Sequence, residues 1–335
     1  MTMASPAEIK VSQITQVGIV VKDVEKVAEN YWNILGIGPW TINTYRPPQL
    51  WDRRYQGKPA YYVVKCGFAK VGSVELELLQ TVEGHTDYDD FMAKHGEGAN
   101  HLQYLIDTVE EYNRHFEIMS RNGMSPLMDG RFGDDGCFAY FNTVAPLGTS
   151  WEAVKGASNF TGPSITIPAD LAEVSPAKIK VKEIVQISLA VKNLEQTMTN
   201  YWNILGIGPW TILDCRYPGW HDSTYYDKPT DYTMRAALTM LGPVEFELIE
   251  PGKGDTVYHD FICQHGEGIN HLAFKPDNAD EARQILEKEG FPSIQNGKVT
   301  SDGGYDYFDT RGPLKILWET FQPPSEFPIA GHYPE

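Results

Sequence analysis

The sequence has little cysteine, little basic charge and no long apolar run. Its 335 residues include four cysteines, none in a C-x-x-C pair, which argues against a zinc knuckle or a redox motif. Lys and Arg number 28 against 45 Asp and Glu, so the net charge is −17 and the basic footprint of a nucleic-acid binder is lacking. No apolar stretch approaches the roughly 20 residues of a membrane span, and the N-terminus shows no secretory pattern. We therefore expect a cytoplasmic protein that binds neither nucleic acid nor membranes.

The chain is an internal repeat. The segment NYWNILGIGPWTI occurs at 30–42 and again at 200–212, an offset of 170. The same offset aligns VELELLQ with VEFELIE and HGEGANHL with HGEGINHL, and near the end of each copy the offset becomes 167. A chain of this length holds about two domains. We predict a first domain at 10–156, a linker at 157–179, a second domain at 180–322 and a Pro-rich tail at 323–335.

Each copy contains its own order of strands and helices. Residues 14–21 alternate like a half-buried strand, and a helix follows between Asp23 as its N-cap and Gly36 as its stop. After further strand-like runs the order begins again, with a strand at 101–106 and a helix at 109–122. We predict an α+β fold in which each copy holds two βαβββ modules.

Polar residues fall on the non-core faces of four predicted strands in each copy. Side chains alternate between the two faces of a strand, so Gln16 opposes Val17. The same rule selects Gln16, Glu77, His101 and Glu152 in the first copy and Gln186, Glu247, His271 and Glu319 in the second. Carboxylates are rarely buried without a partner, and mixed nitrogen and oxygen ligands suit a divalent cation. We predict a metal cleft in each copy; the alternative is that these residues are solvated or structural.

Segments throughout both copies resemble the vicinal oxygen chelate superfamily, which includes glyoxalase I, methylmalonyl-CoA epimerase, extradiol dioxygenases and the bleomycin and fosfomycin resistance proteins. The segments are QVGIVVKD, YWNILGIG, VELELLQ, GANHLQYLID and SWEAV, then QISLAVKN, VEFELIE, GINHLAFKPD and LWET. Their amino-acid sequences are most similar to the epimerase-like branch, and the Gln/Glu/His/Glu set is similar to that of some glyoxalase I enzymes. The resemblance implies tandem domains whose curved mixed sheets enclose a metal.

The resemblance also implies a reaction. A divalent metal, one of Zn, Ni, Co, Mn, Mg or Fe, would be held by the eight residues above and act as a Lewis acid, while a base removes a proton next to a carbonyl. A metal-side glutamate is the base in related glyoxalases, which points to Glu152 and Glu319. For the epimerases a further glutamate is proposed, upstream of the strand VELELL. Tyr61 and Asp231 occupy that region here, so Asp231 is a third candidate.

We expect an isomerase, epimerase or glyoxalase-type lyase that acts on a small organic or acyl-CoA-like substrate. Two alternatives are a resistance-type small-molecule-binding protein and an Fe(II) ring-cleaving dioxygenase. The dioxygenase is less favoured because such enzymes hold iron with two His and one carboxylate, whereas each copy here offers one His and two Glu. Two fused copies can mimic a dimer, so we expect either a monomer or a homo-oligomer.

Two further groups of residues are candidates for contact with the substrate. The aligned cations Arg46 and Arg216, and Lys65 and Arg235, either grip an anionic group or are exposed on their strands. An aromatic group precedes the strand VELELL and its counterpart, as a pocket wall or as core: Tyr45, Trp51, Tyr55, Tyr62, Trp220, Tyr225 and Tyr232.

Overall fold

The structure is a computed structural model that describes residues 4–159, 162 and 164–334. Contacts divide the chain into two compact units: Ile14–Ala145 with Thr149–Lys182, and Met1–Gln13 with Pro146–Gly148 and Glu183–Glu335. The first repeat forms the body of one unit, called here the first copy, and the second repeat forms the body of the other, the second copy. In the described part of the chain, no helix is long and apolar enough to cross a bilayer.

The first copy is built on one curled mixed sheet. Its strands are β1 (Gln16–Val20), β2 (Trp40–Tyr45), β3 (Leu50–Tyr55), β4 (Lys58–Pro59), β5 (Tyr62–Val71), β6 (Val74–Gly84), β7 (Gly98–Leu105), β8 (Pro126–Phe132), β9 (Gly136–Phe141), β10 (Ser150–Lys155) and β11 (Ser164–Ile167). Its helices are α1 (Val24–Leu35), α2 (Asp87–His95), α3 (Val109–Arg121) and α4 (Val144–Leu147). The strand order is β11-β2-β5-β6-β1-β7-β10-β9-β8-β3-β4.

The second copy repeats this sheet. Its strands are β12 (Gln186–Ala190), β13 (Trp210–Cys215), β14 (Trp220–Tyr225), β15 (Lys228–Pro229), β16 (Met234–Leu241), β17 (Val244–Pro251), β18 (Gly268–Phe274), β19 (Ser293–Val299), β20 (Gly303–Phe308), β21 (Leu317–Gln322) and β22 (Ile329–Tyr333). Its helices are α5 (Leu194–Ile204), α6 (Val257–His265), α7 (Ala279–Lys288) and α8 (Arg311–Leu314). The strand order, β15-β14-β19-β20-β21-β18-β12-β17-β16-β13-β22, reads as the first sheet in reverse.

The predicted βαβββ modules are confirmed, and local signals explain where their helices begin and end. Helix α1 begins after Asp23, whose side chain accepts a hydrogen bond from the Lys26 amide, and it ends at Gly36 in the left-handed conformation, with φ 64°. Helix α3 starts after Thr108, which accepts from the Glu111 amide. These are the cap residues that a helix needs to satisfy its terminal backbone groups.

The four strands that carry the polar quartet of the first copy are neighbours in the centre of the sheet. Strand β1 pairs in parallel with β6 and antiparallel with β7, and β7 pairs in parallel with β10. Gly18 lies opposite Glu77 on one side and opposite His101 on the other. The register shifts between Gly18 and Ile19, the kind of irregularity that re-aims side chains next to functional sites. Strands β17, β12, β18 and β21 repeat the arrangement.

Three strands of each sheet were not predicted. A hairpin of β3 and β4 is attached through β3 to β8, and β14 with β15 repeats it. Strand β11 lies within the predicted linker and pairs with β2. Strand β22 lies within the Pro-rich tail and pairs with β13. The segment after each repeat therefore extends its own sheet at the equivalent edge.

Candidate active site

The fold brings Glu77, His101 and Glu152 together on one face of the first sheet. One ligand atom from each lies within 4.8 Å of the others, and this group can hold a metal ion. His101 Nε2 is 3.5 Å from a Glu77 oxygen and 3.6 Å from a Glu152 oxygen. All three residues are almost fully buried, as is Gln16 beside them. Within the described residues no second group of His, Cys, Asp and Glu meets the same limit.

The hydrogen bond of His101 defines which ring nitrogen faces the carboxylates. Its Nδ1 lies 3.1 Å from Asn100 Oδ1, and since a carbonyl oxygen can only accept, Nδ1 carries the proton. Burial lowers the pKa of His101 to about 4, so the ring is neutral near pH 7 and Nε2 is a bare lone pair. Buried His101 Nε2 and Glu77 Oε2 have no hydrogen-bond partner. A lone pair that faces two carboxyl groups fits a cation between them.

The second copy has the same residues in a different arrangement. His271 Nδ1 lies 3.0 Å from Asn270 Oδ1, and its Nε2 faces the other three members of the quartet. That Nε2 lies 3.0 Å from a Glu319 oxygen, 3.3 Å from Gln186 Oε1 and 3.7 Å from a Glu247 oxygen. The imidazole is therefore displaced toward Glu319 and Gln186, whereas His101 is nearly equidistant from its two glutamates.

Burial shifts the carboxyl groups of both sites toward their protonated forms. It raises the pKa of Glu77 to about 8, with help from the Glu75 carboxylate, and the pKa of Glu152 to about 7. In the second copy burial raises the pKa of Glu247 to about 8 and that of Glu319 well above its usual range. Groups like these stay protonated unless a cation replaces their protons, which is how a buried acidic metal site behaves.

A glutamate orients the glutamine amide in each copy. Gln16 Nε2 donates to Glu75 Oε1 at 2.9 Å, and Gln186 Nε2 donates to Glu245 Oε1 at 2.7 Å. Because the amide nitrogen is engaged there, the carbonyl oxygen of each glutamine points into the quartet. An oxygen is the atom that a hard divalent cation requires from this residue type.

Gln103 distinguishes the two sites. It follows His101 on the same face of β7, and its Nε2 donates to Gln16 Oε1 at 2.6 Å and to Glu152 Oε2 at 2.9 Å. The second copy has Ala273 at the aligned position, so it has no equivalent donor there. The Gln103 amide thus links two of the four residues in the first copy alone.

A pair of tyrosines covers the histidine in each copy. Tyr88 Oη donates to Tyr140 Oη at 2.9 Å, and the Tyr140 ring stands edge-on to His101 with centroids 4.8 Å apart. A hydrogen bond with Tyr140 lowers the pKa of Glu152, against the larger effect of burial. In the second copy Tyr258 and Tyr307 lie 2.6 Å apart by their hydroxyls and cover His271 in the same way.

A cavity of about 220 Å³ opens onto the quartet of the first copy. Gln16, Glu77, Gln103 and Glu152 lie on its wall, and the rest of the lining is largely apolar or aromatic: Tyr45, Leu50, Tyr62, Phe68, Met128, Phe138 and Val154 are among these residues. This combination of an apolar cavity and a few convergent polar groups is typical of a small-molecule site.

The corresponding cavity of the second copy is only about 30 Å³. Its lining includes Trp220, Tyr305, Phe321 and Phe327, with Gln186, Glu247 and Glu319 behind them. The Phe327 ring, from the tail, stacks on Phe321 with centroids 6.5 Å apart. By alignment its counterpart is Phe160, which lies outside the described residues.

The other predicted residues lie apart from the quartets. Asp231 is exposed in the loop before β16. Its neighbour Tyr232 lines the second cavity, whereas Asp231 is not among the described lining residues. Tyr61 is exposed and donates to Glu83. Lys65 donates to Glu25 at 2.8 Å and Arg235 pairs with Glu195, so both are engaged by glutamates of the adjacent helices α1 and α5. Of the aromatic group, Tyr45 and Tyr62 line the first cavity, and Trp220 and Tyr232 line the second.

Sequence reasoning missed the residues that orient the quartet. Asn100 and Asn270 each precede the histidine, and this repeat of Asn-His was visible in the sequence. Glu75 shares the strand face of Glu77, and Gln103 that of His101, so strand parity placed them near the site without giving them a role. Tyr88 and Tyr140 come from distant segments, and only the fold shows that they meet.

Comparison with known proteins agrees with this geometry. The sequence matches the Glyoxalase/Bleomycin resistance protein/Dioxygenase superfamily over residues 15–141 and again over 185–308. The chain belongs to this superfamily. The two matched regions correspond to the two copies, so the glyoxalase/dioxygenase unit occurs here in tandem, and the predicted resemblance is confirmed.

Three proteins that resemble this superfamily member share little sequence identity with it. The uncharacterised protein YqjC of Bacillus subtilis (strain 168) is 29% identical over 100 residues, which are 30% of this chain and 61% of that protein's length. A triple mutant of 4-hydroxymandelate synthase from Streptomyces coelicolor shares the fold, with a TM-score of 0.55, 14% identity and 95% of each chain covered. A fusion protein of a xylose isomerase-like TIM barrel and 4-hydroxyphenylpyruvate dioxygenase has a TM-score of 0.53 at 11% identity, covering 99% of this chain and 52% of its own.

Proposed function

We propose that this protein is a metal-dependent isomerase, epimerase or glyoxalase-type lyase that removes a proton next to a carbonyl group. The observation that carries the proposal is the bare Nε2 of His101, which faces Glu77 and Glu152 at the wall of an apolar cavity. In the first copy Gln16, Glu77, His101 and Glu152 would hold the ion. In the second copy Gln186, Glu247, His271 and Glu319 would do so.

A bound divalent cation supplies Lewis-acid stabilisation of the negative charge that develops on the carbonyl oxygen. The remaining work falls to residues of the chain. Glu152 lies on the cavity wall, within reach of a bound molecule, and is our candidate for the base that takes the proton on a carboxylate oxygen. Gln103 and Tyr140 each hydrogen-bond this carboxyl group and so define its orientation.

The burial of the two glutamates away from water supports the proposed proton transfer. Glu77 and Glu152 are 5% and 3% exposed, and aromatic side chains form much of the cavity wall. A buried carboxylate holds the abstracted proton beside the reacting carbon, so the proton can be returned to the same carbon or a neighbouring one. Glu319 is the equivalent candidate in the second copy, and Asp231 remains a prediction from the sequence.

The two alternative functions require different residues at the site. A ring-cleaving Fe(II) site of the usual kind uses two imidazoles and one carboxylate, whereas each copy here offers one imidazole and two carboxylates. A resistance-type binding protein needs the cavity but no base. The reaction itself therefore separates a binding protein from an enzyme.

The test combines metal content with proton exchange. Metal content per chain of gently purified protein is measured by inductively coupled plasma mass spectrometry for the native chain, Glu77→Ala and Glu247→Ala. Glu83→Ala, on an exposed residue of the same strand β6, is the matched control. Incorporation of solvent deuterium next to the carbonyl of 2-hydroxyacetophenone is followed by NMR on the same samples.

About two ions per chain, falling by one in each site variant and unchanged in the control, is the expected result. Deuterium incorporation that is lost in Glu77→Ala supports the proton-transfer reaction. Absence of metal even after reconstitution would contradict the enzyme hypothesis. Metal and ligand binding without deuterium exchange would favour the binding protein instead.

A further inference from the structure

We infer that only the first copy accepts substrate, and that its substrate is an uncharged, largely apolar molecule of one or two rings that carries a carbonyl group. The identification of the oxygen-bearing end rests on the proposed function. The choice of copy, the size and the charge rest on the two cavities alone.

The size follows from the cavity volumes. An apolar cavity of about 150 Å³ accommodates benzene in a protein core, and the first cavity, at about 220 Å³, is larger by roughly half. It therefore holds a substituted single ring or a compact bicyclic molecule. The second cavity, at about 30 Å³, holds no more than one or two water molecules.

Two of the aligned lining residues are larger in the second copy. Leu50, at the start of β3, corresponds to Trp220 at the start of β14. Val154, on the same face of β10 as Glu152, corresponds to Phe321 on β21. The two larger side chains, together with Phe327 from the tail, fill the space above Glu319 in the second copy.

Hydroxyl groups close the second cavity further. Tyr305 corresponds to Phe138, and its hydroxyl bonds to Tyr232 Oη at 2.7 Å and to Ser223 Oγ at 3.1 Å. These bonds hold Tyr305 in place beside Trp220. Phe138 in the first copy carries no hydroxyl, so its ring forms apolar wall without such a network. The second copy is thus filled by packed and hydrogen-bonded side chains, which resist displacement by a ligand.

The charge of the substrate follows from the lining of the first cavity. Three glutamates line it, Glu75, Glu77 and Glu152, and no Lys, Arg or His is found among the described lining residues. Lys70, in the adjoining groove, lies 3.5 Å from Glu75. An anion placed inside would lose its hydration without gaining a cationic side chain as a partner.

The lining argues against one substrate that the sequence left open, an acyl-CoA. An acyl-CoA carries a polyanionic nucleotide, and the candidate cations Lys65 and Arg235 are engaged by glutamates of the adjacent helices. A neutral aromatic hydroxy-ketone satisfies both the apolar wall and the polar end. Its oxygens would lie toward Gln16, Glu77 and Glu152, and its ring would lie among Leu50, Phe138 and Val154.

The test is isothermal titration calorimetry on the full chain with two probes of similar size. The neutral probe is 2-hydroxyacetophenone and the anionic probe is phenylglyoxylate. We expect one neutral molecule per chain with a dissociation constant in the low millimolar range or tighter, and at least about tenfold weaker binding of the anion. Titrations are repeated after chelation, so that the apolar cavity is tested apart from any metal.

Reciprocal variants identify the copy. Val154→Phe copies the second cavity into the first and is expected to weaken binding by at least about tenfold. Phe321→Val makes the opposite change in the second copy and is expected to leave the affinity and the single site unchanged. Leu50→Trp with Trp220→Leu is an independent pair in case one variant fails to fold, as judged by circular dichroism.

Three results would overturn the inference: two molecules bound per chain, equal or tighter binding of the anion, or native affinity in folded Val154→Phe. Absence of detectable binding of the neutral probe up to about 10 mM would also count against it. Binding as expected without deuterium exchange would instead contradict the proposed reaction and leave this inference standing.

Discussion

The two copies share an identical segment of 13 residues and the same four polar residues, yet they differ in the space around them. The first copy opens a cavity of about 220 Å³ onto Glu152, and the second leaves about 30 Å³ beside Glu319. The first places its histidine between two glutamates, and the second shifts it toward one of them. The four candidate ligands can therefore be present beside a cavity that is too small for an organic molecule.

One backbone position explains the shift of the histidine. A Cβ atom added at Gly18 would lie 1.9 Å from His101 Cε1, so the ring of His101 occupies space that only glycine leaves free. The second copy has Ser188 at this position. Its Cβ requires the His271 ring to lie elsewhere, which agrees with the shorter distance to Glu319. Four measurements test this difference between the copies.

The largest effect is expected from removing the proposed base. Glu152→Gln keeps the shape of the side chain but not its basicity, and we expect a loss of activity on the order of 10²–10⁴-fold. The same change at Glu319 is expected to cost far less, because its cavity has no room for substrate. Turnover or deuterium exchange of both variants measures the ratio. Equal losses would show that both copies react.

The next effect tests the glycine. Gly18→Ser gives the first copy the residue of the second and forces His101 to move, at a cost of about 1–3 kcal/mol for overpacking. We expect weaker metal binding at the first site and a lower melting temperature. Ser188→Gly, the matched change, is expected to preserve or improve metal binding in the second copy. An unchanged first site in Gly18→Ser would refute the role given to this glycine.

The third effect concerns pH in metal-stripped protein. Burial raises the pKa of Glu77 to about 8, of Glu152 to about 7 and of Glu247 to about 8, so the folded state keeps protons that the unfolded state releases above its pKa near 4.5. Their contribution to stability is complete below pH 4.5 and is lost as pH rises toward 8. The histidines have folded pKa values near 4, so their contribution is lost in the opposite direction, below pH 6.5.

Of these glutamates and histidines, only the glutamates therefore change the stability between pH 6.5 and 8. We expect the free energy of unfolding of the stripped protein to fall there by on the order of 2 kcal/mol per copy. Added metal should reverse the trend, because its ligands must be deprotonated. Thermal denaturation with a chelator and with metal measures both curves. A melting temperature of the stripped protein that rises across this window would contradict the burial of these carboxyl groups.

The smallest effect is expected at Gln103. Gln103→Ala reproduces Ala273 of the second copy and removes the hydrogen bonds to Gln16 and Glu152. We expect a loss of about 1 kcal/mol of stability, together with a several-fold fall in activity as Glu152 loses part of its orientation. Ala273→Gln in the second copy is the matched variant. If Gln103→Ala changed neither stability nor activity, the hydrogen bonds from Gln103 to Gln16 and Glu152 would have no role in function.

The repeat, the module plan and the residue types of the quartet could be predicted from the sequence. Identity between copies locates the domains, cap residues such as Asp23 and Gly36 locate helix ends, and strand parity assigns faces. The edge strands β11 and β22 could not be predicted, because their short, Pro-flanked segments gain their order only from pairing with a sheet edge. The tyrosine pair Tyr88 and Tyr140 was missed for a similar reason, since the two are 52 positions apart.

The tandem repeat of a glyoxalase-like unit and its eight candidate metal ligands follow from the sequence, because local alternation fixes which side of a strand each residue occupies. Which copy has room for a molecule depends on the folded packing. Cavity volume depends on side chains from four or more strands and a tail that meet in three dimensions. Packing of these side chains leaves an open site in the first copy and a nearly filled one in the second.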